Sequence, residues 1–433
     1  MSSGPLPRMN PSIRLRLSVM MLLQYVVWGT WYVPMYPYLS KTLGFAGDKI
    51  NTAYSCTAFA AMVSPFFVGM IADRFFASQR VLGFLHLLGG VLLYLASKQT
   101  EFSAFFALLM GHTLCYMPTM SLSNSLSMAQ MRDPAREFPS IRVLGTIGWI
   151  AAGLIVGGLK KTAEGAFTYQ LKLGPWTLGT AGEFQSIEPT NLPMLLGAGA
   201  AILLGVYCFF LPHTPPPNKG TAADWRTILG LDALRLFRDR SFAVFAAGSF
   251  LICVPLTFYY NLTNGFLNEL QVENAAFKMT FGQMSEILFM LLMPFCFRKL
   301  GIRSLLLLGM AAWAVRYFLF SFGNNGPLFW MLLLGIVLHG VCYDFFFVTG
   351  QIYVDRQADA GCRGQAQGLI SFLTYGLGMF FGSFVAGRVD KALTLASGGH
   401  DWSRLWMFPA LGATGLLLIF ALTFKEPPAR RVD

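Results

Sequence analysis

Four ionisable side chains fall inside stretches of sequence that are otherwise apolar: Arg142, Glu286, Arg316 and Asp344. A charge held in an apolar segment of membrane length is costly, and it persists where it has a task. Their neighbours extend the chemistry along helical faces. Arg142, Thr146 and Trp149 recur at i, i+4 and i+7, so one stripe offers a cation, a hydroxyl and an indole. Gln283 and Glu286 share a face at i, i+3, while Thr257, Tyr260, Asn261 and Asn264 form a polar strip. His339 and Tyr343 are i, i+4, with Asp344 alongside, and Gln24, Trp28 and Trp31 repeat the pattern near the N-terminus. Such sets suit a polar small molecule: carboxylates and guanidinium for hydroxyls, an amide for a heterocycle edge, aromatics for its face. A carboxyl that alternates between wet and dry surroundings is also suited to bind and release a proton. Packing alone accounts for many Thr and aromatic stripes. His86 and His112 stand alone and are read as structural. Arg142 could snorkel to an interface, and Arg316 could neutralise Asp344 or Glu286 as a structural pair.

Enzyme signatures are weak. His339 and Asp344 match an H-x-x-x-x-D spacing found in some acyltransferases, but they sit among Val, Cys and Phe rather than at a polar surface. No H-E-x-x-H, G-x-S-x-G or P-loop is present. Seven cysteines form no C-x-x-C pair and most lie in apolar stretches, which points to neither a disulfide framework nor a metal site.

The elements that position these residues follow from composition. Of 433 residues, 55% are apolar and 12% charged; soluble domains carry about twice that charge, so a water-soluble multidomain chain is excluded. Apolar runs lie near 15–39, 49–73, 81–97, 102–131, 134–160, 192–211, 241–268, 279–297, 303–322, 328–354, 364–389 and 405–424. Each is long enough to cross ~30 Å of hydrocarbon as a helix. The expected fold class is therefore all-α, a polytopic membrane protein with twelve transmembrane helices. The first run is too long for the core of a cleavable signal and has no small-residue cleavage site after it.

An even number of spans puts both termini on one side. Tails and loops on that side hold 20 of the 32 Lys and Arg, the opposite side 10, and Arg142 and Arg316 fall within spans. This bias places both termini in the cytoplasm, and it accounts for the net charge of +11 without nucleic acid as a partner. Domains are expected at 1–211 and 241–433, each of six spans. Residues 212–240 between them form a cytoplasmic linker that opens with Pro212, Pro215, Pro216 and Pro217 and continues as a basic amphipathic helix, Trp225 to Phe237. The loop 161–190, rich in Gly and Thr, is expected to be an irregular cap.

After the second span comes Gly69-x-x-Ala72-Asp73-Arg74, and after the eighth Arg298-Lys299-x-Gly301-x-Arg303. The first copy resembles the G-x-x-x-D-[RK] signature of the major facilitator superfamily, where an Asp at a helix end beside a basic turn latches a neighbouring helix. Gly69, Asp73 and Arg74 are the expected latch. Six-plus-six repeats meeting at a midplane cavity are the architecture that resemblance implies.

A more specific likeness spans the chain from its first run to its last. Gln24-Tyr25-x-x-Trp28-Gly29-Thr30-Trp31, Tyr116-Met117-Pro118-Thr119 and Glu137-Phe138-Pro139-Ser140-Ile141-Arg142-x-x-Gly145-Thr146-x-Gly148 come first. Leu229-Gly230-Leu231-Asp232-Ala233, Gln283-x-x-Glu286, Asp344-Phe345-Phe346 and Ala366-Gln367-Gly368 follow. In this order they resemble the nucleoside:proton symporters of the major facilitator superfamily. The resemblance implies a substrate site built from helices 4, 5, 7, 8 and 10, with Arg142, Thr146, Gln283, Glu286 and Asp344 matching family positions. Thr257, Tyr260 and His339 depart from the family's helix 7 and helix 10 residues, and Trp149 and Tyr343 stand where it has Phe.

The function expected from residues and resemblance together is proton-coupled import of a nucleoside or related ribosyl compound by alternating access, across the inner membrane and by a monomer. A proton is the only coupling ion and no cofactor is required. Asp344 is the leading proton-coupling residue, Glu286 the second, and Arg316 or Arg142 the cation that would toggle proton affinity. A sugar or polyol symporter on the same fold is the near alternative. A membrane-embedded acyltransferase-like enzyme and a sensor incompetent for transport are the remaining ones.

Overall fold

A computed structural model describes residues 9–131, 134–173, 176–180, 182–216, 231–358, 363–396 and 398–426. Helices occupy the twelve expected spans. Among the described residues, eight helical stretches are long and apolar enough to cross a membrane, and Leu192–Cys208 is a shorter apolar helix.

The chain divides into two compact units. Unit 1 comprises Met1–Met35, Val63–Tyr169 and Glu183–Ala222. It contains α1 (Pro11–Tyr32), the C-terminal part of α3 (Gly47–Arg74), α4 (Ser78–Ala96), α5 (Phe102–Ala129), α6 (Pro134–Gly158) and α7 (Leu192–Cys208). The start of α1 is set by Asn10, whose side chain accepts from Ser12 N, with Pro11 in the first turn. α1 packs on α6 and α7, and α4 on α5 and α7.

Unit 2 comprises Tyr36–Met62, Gln170–Gly182 and Ala223–Asp433. Its first long helix, α8 (Arg240–Glu269), is capped by Asp239 accepting from Phe242 N at 2.8 Å. α9 (Ala275–Phe322) carries expected spans 8 and 9 in one element, redirected at Gly301, whose φ of 72° a glycine adopts without a Cβ clash. The tenth span is segmented into α10 (Phe329–Val337), α11 (His339–Tyr343), a π-helical turn at Asp344–Val348 and α12 (Thr349–Gln357). The eleventh holds α13 (Arg363–Ser371), a second π-helical stretch at Phe372–Gly378 and α14 (Met379–Ala392). α15 (Trp402–Thr423) closes the unit against α8 and α9.

Segment Tyr36–Met62, six-span neighbour of the N-terminal helices in chain order, groups with unit 2 because Tyr36 and Asn51 hydrogen-bond to Asp390 of α14. The loop 161–190 is also more ordered than an irregular cap. β1 (Leu159–Lys161) pairs antiparallel with Phe167–Tyr169 of β2 (Phe167–Leu173) and with β4 (Gln185–Ser186). Gln170–Leu173 pairs with β3 (Trp176–Gly179). Alternating Phe167, Tyr169 and Leu171 with Thr168, Gln170 and Lys172 supplies the strand pattern that the Gly and Thr content obscured. Of the expected amphipathic segment Trp225 to Phe237, residues 225–230 lie outside the described residues, and Leu231–Arg238 forms a 3-10 helix.

Candidate substrate and proton site

In unit 1, Arg142 lies two turns into α6 with its guanidinium carbon 4.5 Å from the centre of the Tyr25 ring. This cation–π contact holds the head group within the protein. Thr146, one turn on, is half-buried. Trp149 meets Trp28 edge-on, with ring centres 5.2 Å apart at 89°. Gln24 is fully buried and ties three helices together: its Nε2 donates to Thr119 Oγ1 at 2.7 Å, and its Oε1 faces His86 Nε2 at 2.8 Å. The Tyr116 hydroxyl donates to the Gln24 carbonyl. His112 Nδ1 faces the Gly89 carbonyl at 2.8 Å. Each histidine has one ring nitrogen against a protein group, while His112 Nε2 has no partner among the described residues, and Gln24 is a tie rather than a free ligand group.

In unit 2, α9 and the tenth span come together by backbone contact. A methyl on Gly340 would lie 2.5 Å from the Ser285 carbonyl carbon and 2.6 Å from Glu286 N, so only glycine lets the two helices meet there. A methyl on Gly282 would likewise lie 3.0 Å from His339 Cβ and 3.1 Å from the Ile336 carbonyl. This crossing brings Gln283 and Glu286 to the segment that carries His339, Tyr343 and Asp344. Glu286 lies close enough to Asp344 for the two carboxylates to repel.

Asp344 is fully buried, and neither of its carboxylate oxygens has a hydrogen-bond partner among the described residues. The buried Oε1 of Gln283 and Nδ1 of His339 are also unpartnered. Buried polar atoms are nearly always satisfied, so four such atoms on adjoining helices form a candidate place for a polar guest or a proton. Aromatic rings frame it. His339 stacks on Tyr259 with centres 5.1 Å apart at 19°, and Tyr260 meets it edge-on at 6.0 Å. The hydroxyls of Tyr343 and Tyr375 are 2.5 Å apart.

Other expected site residues are placed differently. Thr257 is fully buried and donates to the Cys253 carbonyl at 2.7 Å, while packing against Gly382. Its hydroxyl also lies 3.4 Å from Met379 Sδ of α14. Arg316 is fully buried but points its guanidinium at the backbone of α10, not at a carboxylate: Nε reaches the Gly335 carbonyl at 2.7 Å and a terminal nitrogen the Ile336 carbonyl at 3.4 Å. Its guanidinium carbon lies 3.8 Å from the centre of the Tyr259 ring. Gly69, Asp73 and Arg74 fall on the last turns of α3, and their side chains lie outside the described residues. Among the described residues, no group of three or more His, Cys, Asp or Glu could hold a metal ion.

Three residues of this region were not named as site residues from sequence. Tyr25 receives Arg142, Ser285 bonds across to the tenth span, and Tyr375 meets Tyr343. Ser285 had a readable signal, lying between Gln283 and Glu286 on the same helix. Tyr375 had none.

The model of the family described as nucleoside H+ symporter matches residues 11–429. The chain belongs to that family. It is 44% identical over 418 residues to the putative nucleoside transporter YegT of Escherichia coli K12, covering 95% of this chain and 93% of that protein. It is 30% identical over 429 residues to the xanthosine permease of the same organism, covering 96% of each. The crystal structure of the nucleoside transporter NupG superposes with a TM-score of 0.81 at 29% identity, covering 96% of this chain and all of that one. The fold is that of the major facilitator superfamily, twelve helices of an all-α polytopic membrane protein. The protein is a multi-pass inner-membrane transporter of a small molecule, not an enzyme, and its family couples transport to protons.

Proposed function

We propose that the protein imports nucleosides together with protons, with Arg142, Thr146 and Trp149 of unit 1 and Gln283, Glu286 and Asp344 of unit 2 among its substrate-binding residues. The observation that carries this reading is Asp344: a fully buried carboxylate without a hydrogen-bond partner among the described residues, beside Glu286 and framed by His339, Tyr260 and Tyr343. A ribose presents adjacent hydroxyls that a carboxylate accepts from. A nucleobase presents an edge that suits Gln283 and a face that suits Tyr260, His339 or Trp149. Arg142 and Thr146 contribute a donor and a hydroxyl from the first six spans. Thr257, on the same helix as Tyr260, is a further candidate contact.

Coupling follows from the same residues. Asp344 takes the proton, Glu286 chiefly holds substrate hydroxyls, and each biases the other because two adjacent carboxylates resist ionising together. Halves 1–211 and 241–433, joined by 212–240, rock about the site, with Gly69, Asp73 and Arg74 latching the cytoplasmic face. The Lys and Arg bias places both termini in the cytoplasm. A single chain carries every element of the cycle, so the working unit is a monomer. Uptake of labelled nucleosides into proteoliposomes, with and without an imposed pH gradient, tests this. Gradient-stimulated accumulation is the expected result, and uptake of nucleosides indifferent to the gradient would remove proton coupling.

A further inference from the structure

A second buried polar cluster lies in unit 2, far along the chain from Asp344 and unused by the mechanism above. Asp390, in the last turn of α14, is fully buried. The Tyr36 hydroxyl donates to its carboxylate, at 3.1 Å from both oxygens, and Asn51 Nδ2 donates at 3.3 Å. His400 Nε2 lies 3.2 Å from Asp390 Oδ1, while its Nδ1 lies 2.7 Å from Glu269 Oε2. The backbone N–H of His400 also donates to Glu269 Oε1 at 2.7 Å. Asn51 is itself oriented, donating to the Gly47 carbonyl and accepting from Asn261 Nδ2.

One imidazole between two carboxylates imposes a proton count. A neutral ring has one N–H and one lone pair, so with both acids ionised that lone pair would face a carboxylate oxygen. The arrangement is attractive only with one additional proton, held on the ring or on an acid. The remaining charges nearby do not replace it. Lys391 is spent on Asp48 at 2.8 Å, Arg404 on Asp401 at 3.3 Å, and Lys41 reaches only the Asn268 carbonyl. Burial works against protonating His400, but the hydrogen bond its ring donates to Glu269 and the charges of Asp390 and Glu269 outweigh it and raise its pKa above the ordinary imidazole value. Stability of the assembled cluster is thus present at low pH and lost as pH rises through that raised value.

Counting spans, Tyr36 follows the first, Glu269 ends the seventh and His400 follows the eleventh, so all lie on the face opposite the termini. Tyr36 and Asn51 belong in chain order to the first six spans, Glu269 and Asp390 to the last six. We propose that Asp390, His400 and Glu269, with Tyr36 and Asn51, form a proton-binding clasp on the outer face, which closes with uptake of one proton and returns it on opening. The idea rests on the alternating-access reading above, in which outer ends of the two halves must part. A proton arriving from outside then closes the outer face behind it, which is the order of events that import requires.

The test reads closure without substrate. Ser55, 2% exposed and one turn beyond Asn51, is replaced by Cys in the full-length protein in right-side-out vesicles. Labelling by an impermeant maleimide is followed from about pH 8 to pH 5.5, across the imidazole range, with a protonophore present and no nucleoside. The chain lacking Ser55→Cys supplies the background from native thiols. Dividing each rate by that of the same variant unfolded in sodium dodecyl sulfate at the same pH cancels the thiolate's own pH dependence. Protection should deepen on acidification, by about tenfold for each unit by which closure raises the proton affinity, and His400→Gln should flatten it. Asp390→Asn, which keeps the shape and cannot share the proton, should flatten it equally and covers the case in which the histidine variant does not fold. A pH profile unchanged by both substitutions, or flat in the parent, overturns the clasp. Nucleoside uptake measured in parallel reports on the transport reading by itself, since the labelling needs no substrate.

Discussion

Arg316 donates from Nε to the Gly335 carbonyl at 2.7 Å, one helical segment away from Asp344, and the two side chains form no ion pair. The carbonyls of Gly335, Ile336 and Val337 are taken in succession by Arg316 and by Ser285 Oγ, which also accepts from Gly340 N at 3.0 Å. Side chains of the eighth and ninth spans thus serve the backbone at the break between α10 and α11. This break directs His339, Tyr343 and Asp344 towards the eighth span.

Removing the guanidinium should therefore be felt as stability before it is felt as coupling. Arg316→Met leaves two buried carbonyls without donors, each costing about 1–3 kcal/mol. The thermal midpoint in detergent should fall by several degrees, and Arg316→Lys should recover part of it while retaining gradient-driven uptake. An Arg316→Met protein as stable as the parent would show that water satisfies those carbonyls.

The glycine crossing makes a second prediction. Gly340→Ala places a methyl 2.5 Å from the Ser285 carbonyl carbon and 2.6 Å from Glu286 N, where both neighbours are backbone and neither can turn aside. The helices must separate, at about 1–3 kcal/mol. Since Glu286 rides on the displaced backbone, substrate affinity should fall with stability. Gly412→Ala, which meets nothing within 4 Å, is the control that should leave both unchanged. Equal midpoints and equal KM for the two variants would count against the crossing as the element that positions the site.

His339 governs the third. Its ring is stacked on Tyr259 and edged by Tyr260, with Nδ1 left unpartnered. In the family resemblance this position carries a Tyr, and Tyr260 is a further departure. His339→Tyr should shift competition by purine and pyrimidine nucleosides by about tenfold for one hydrogen bond of ~1.4 kcal/mol gained or lost. A competition profile across purines, pyrimidines and sugars identical to that of the parent would remove the ring from the recognition surface.

What was legible in the sequence divides along physical lines. Hydrophobic runs of membrane length fixed the twelve spans, because a lipid-crossing segment has few alternatives to a helix. Glu286 and Asp344 stood out because carboxylates are rare in such runs, and both lie in the cluster. Arg316 stood out for the same reason, yet its partners are backbone carbonyls exposed by a helix break, which leaves no mark in residue type. Thr257 stood out on a polar strip, but a threonine can also bond its own helix, as it does on Cys253, and spacing does not show that. Asp390 went unnoticed because it sits just beyond the expected end of its span, where an acid resembles an ordinary interface charge. Its partners, Tyr36, Asn51 and His400, are hundreds of residues away or across a turn, and spacing cannot reveal them.

The roles of Asp344 and Glu286 are separable by experiment. Both are carboxylates in neighbouring helices, and they interact electrostatically, so a single deletion perturbs both. Isosteric amides keep the shape and remove only the titration. Asp344 is fully buried and neither of its oxygens has a hydrogen-bond partner among the described residues, which suits a group that is neutral when loaded and must find a partner when charged. Asp344→Asn should therefore abolish accumulation of nucleoside against its gradient, because no proton is carried, while nucleoside exchange between two equal pools persists. Glu286 shares its helix face with Gln283, whose Oε1 is likewise open. Glu286→Gln should weaken binding itself, raising KM about 10–100-fold, the range set by a charge-assisted hydrogen bond of ~1.5–3 kcal/mol. Measuring counterflow and pH-driven uptake on the same vesicles separates the two outcomes. Should the Asp344→Asn protein still concentrate nucleoside to parental levels, the proton is carried elsewhere; should Glu286→Gln instead lose coupling with KM intact, the two assignments exchange places.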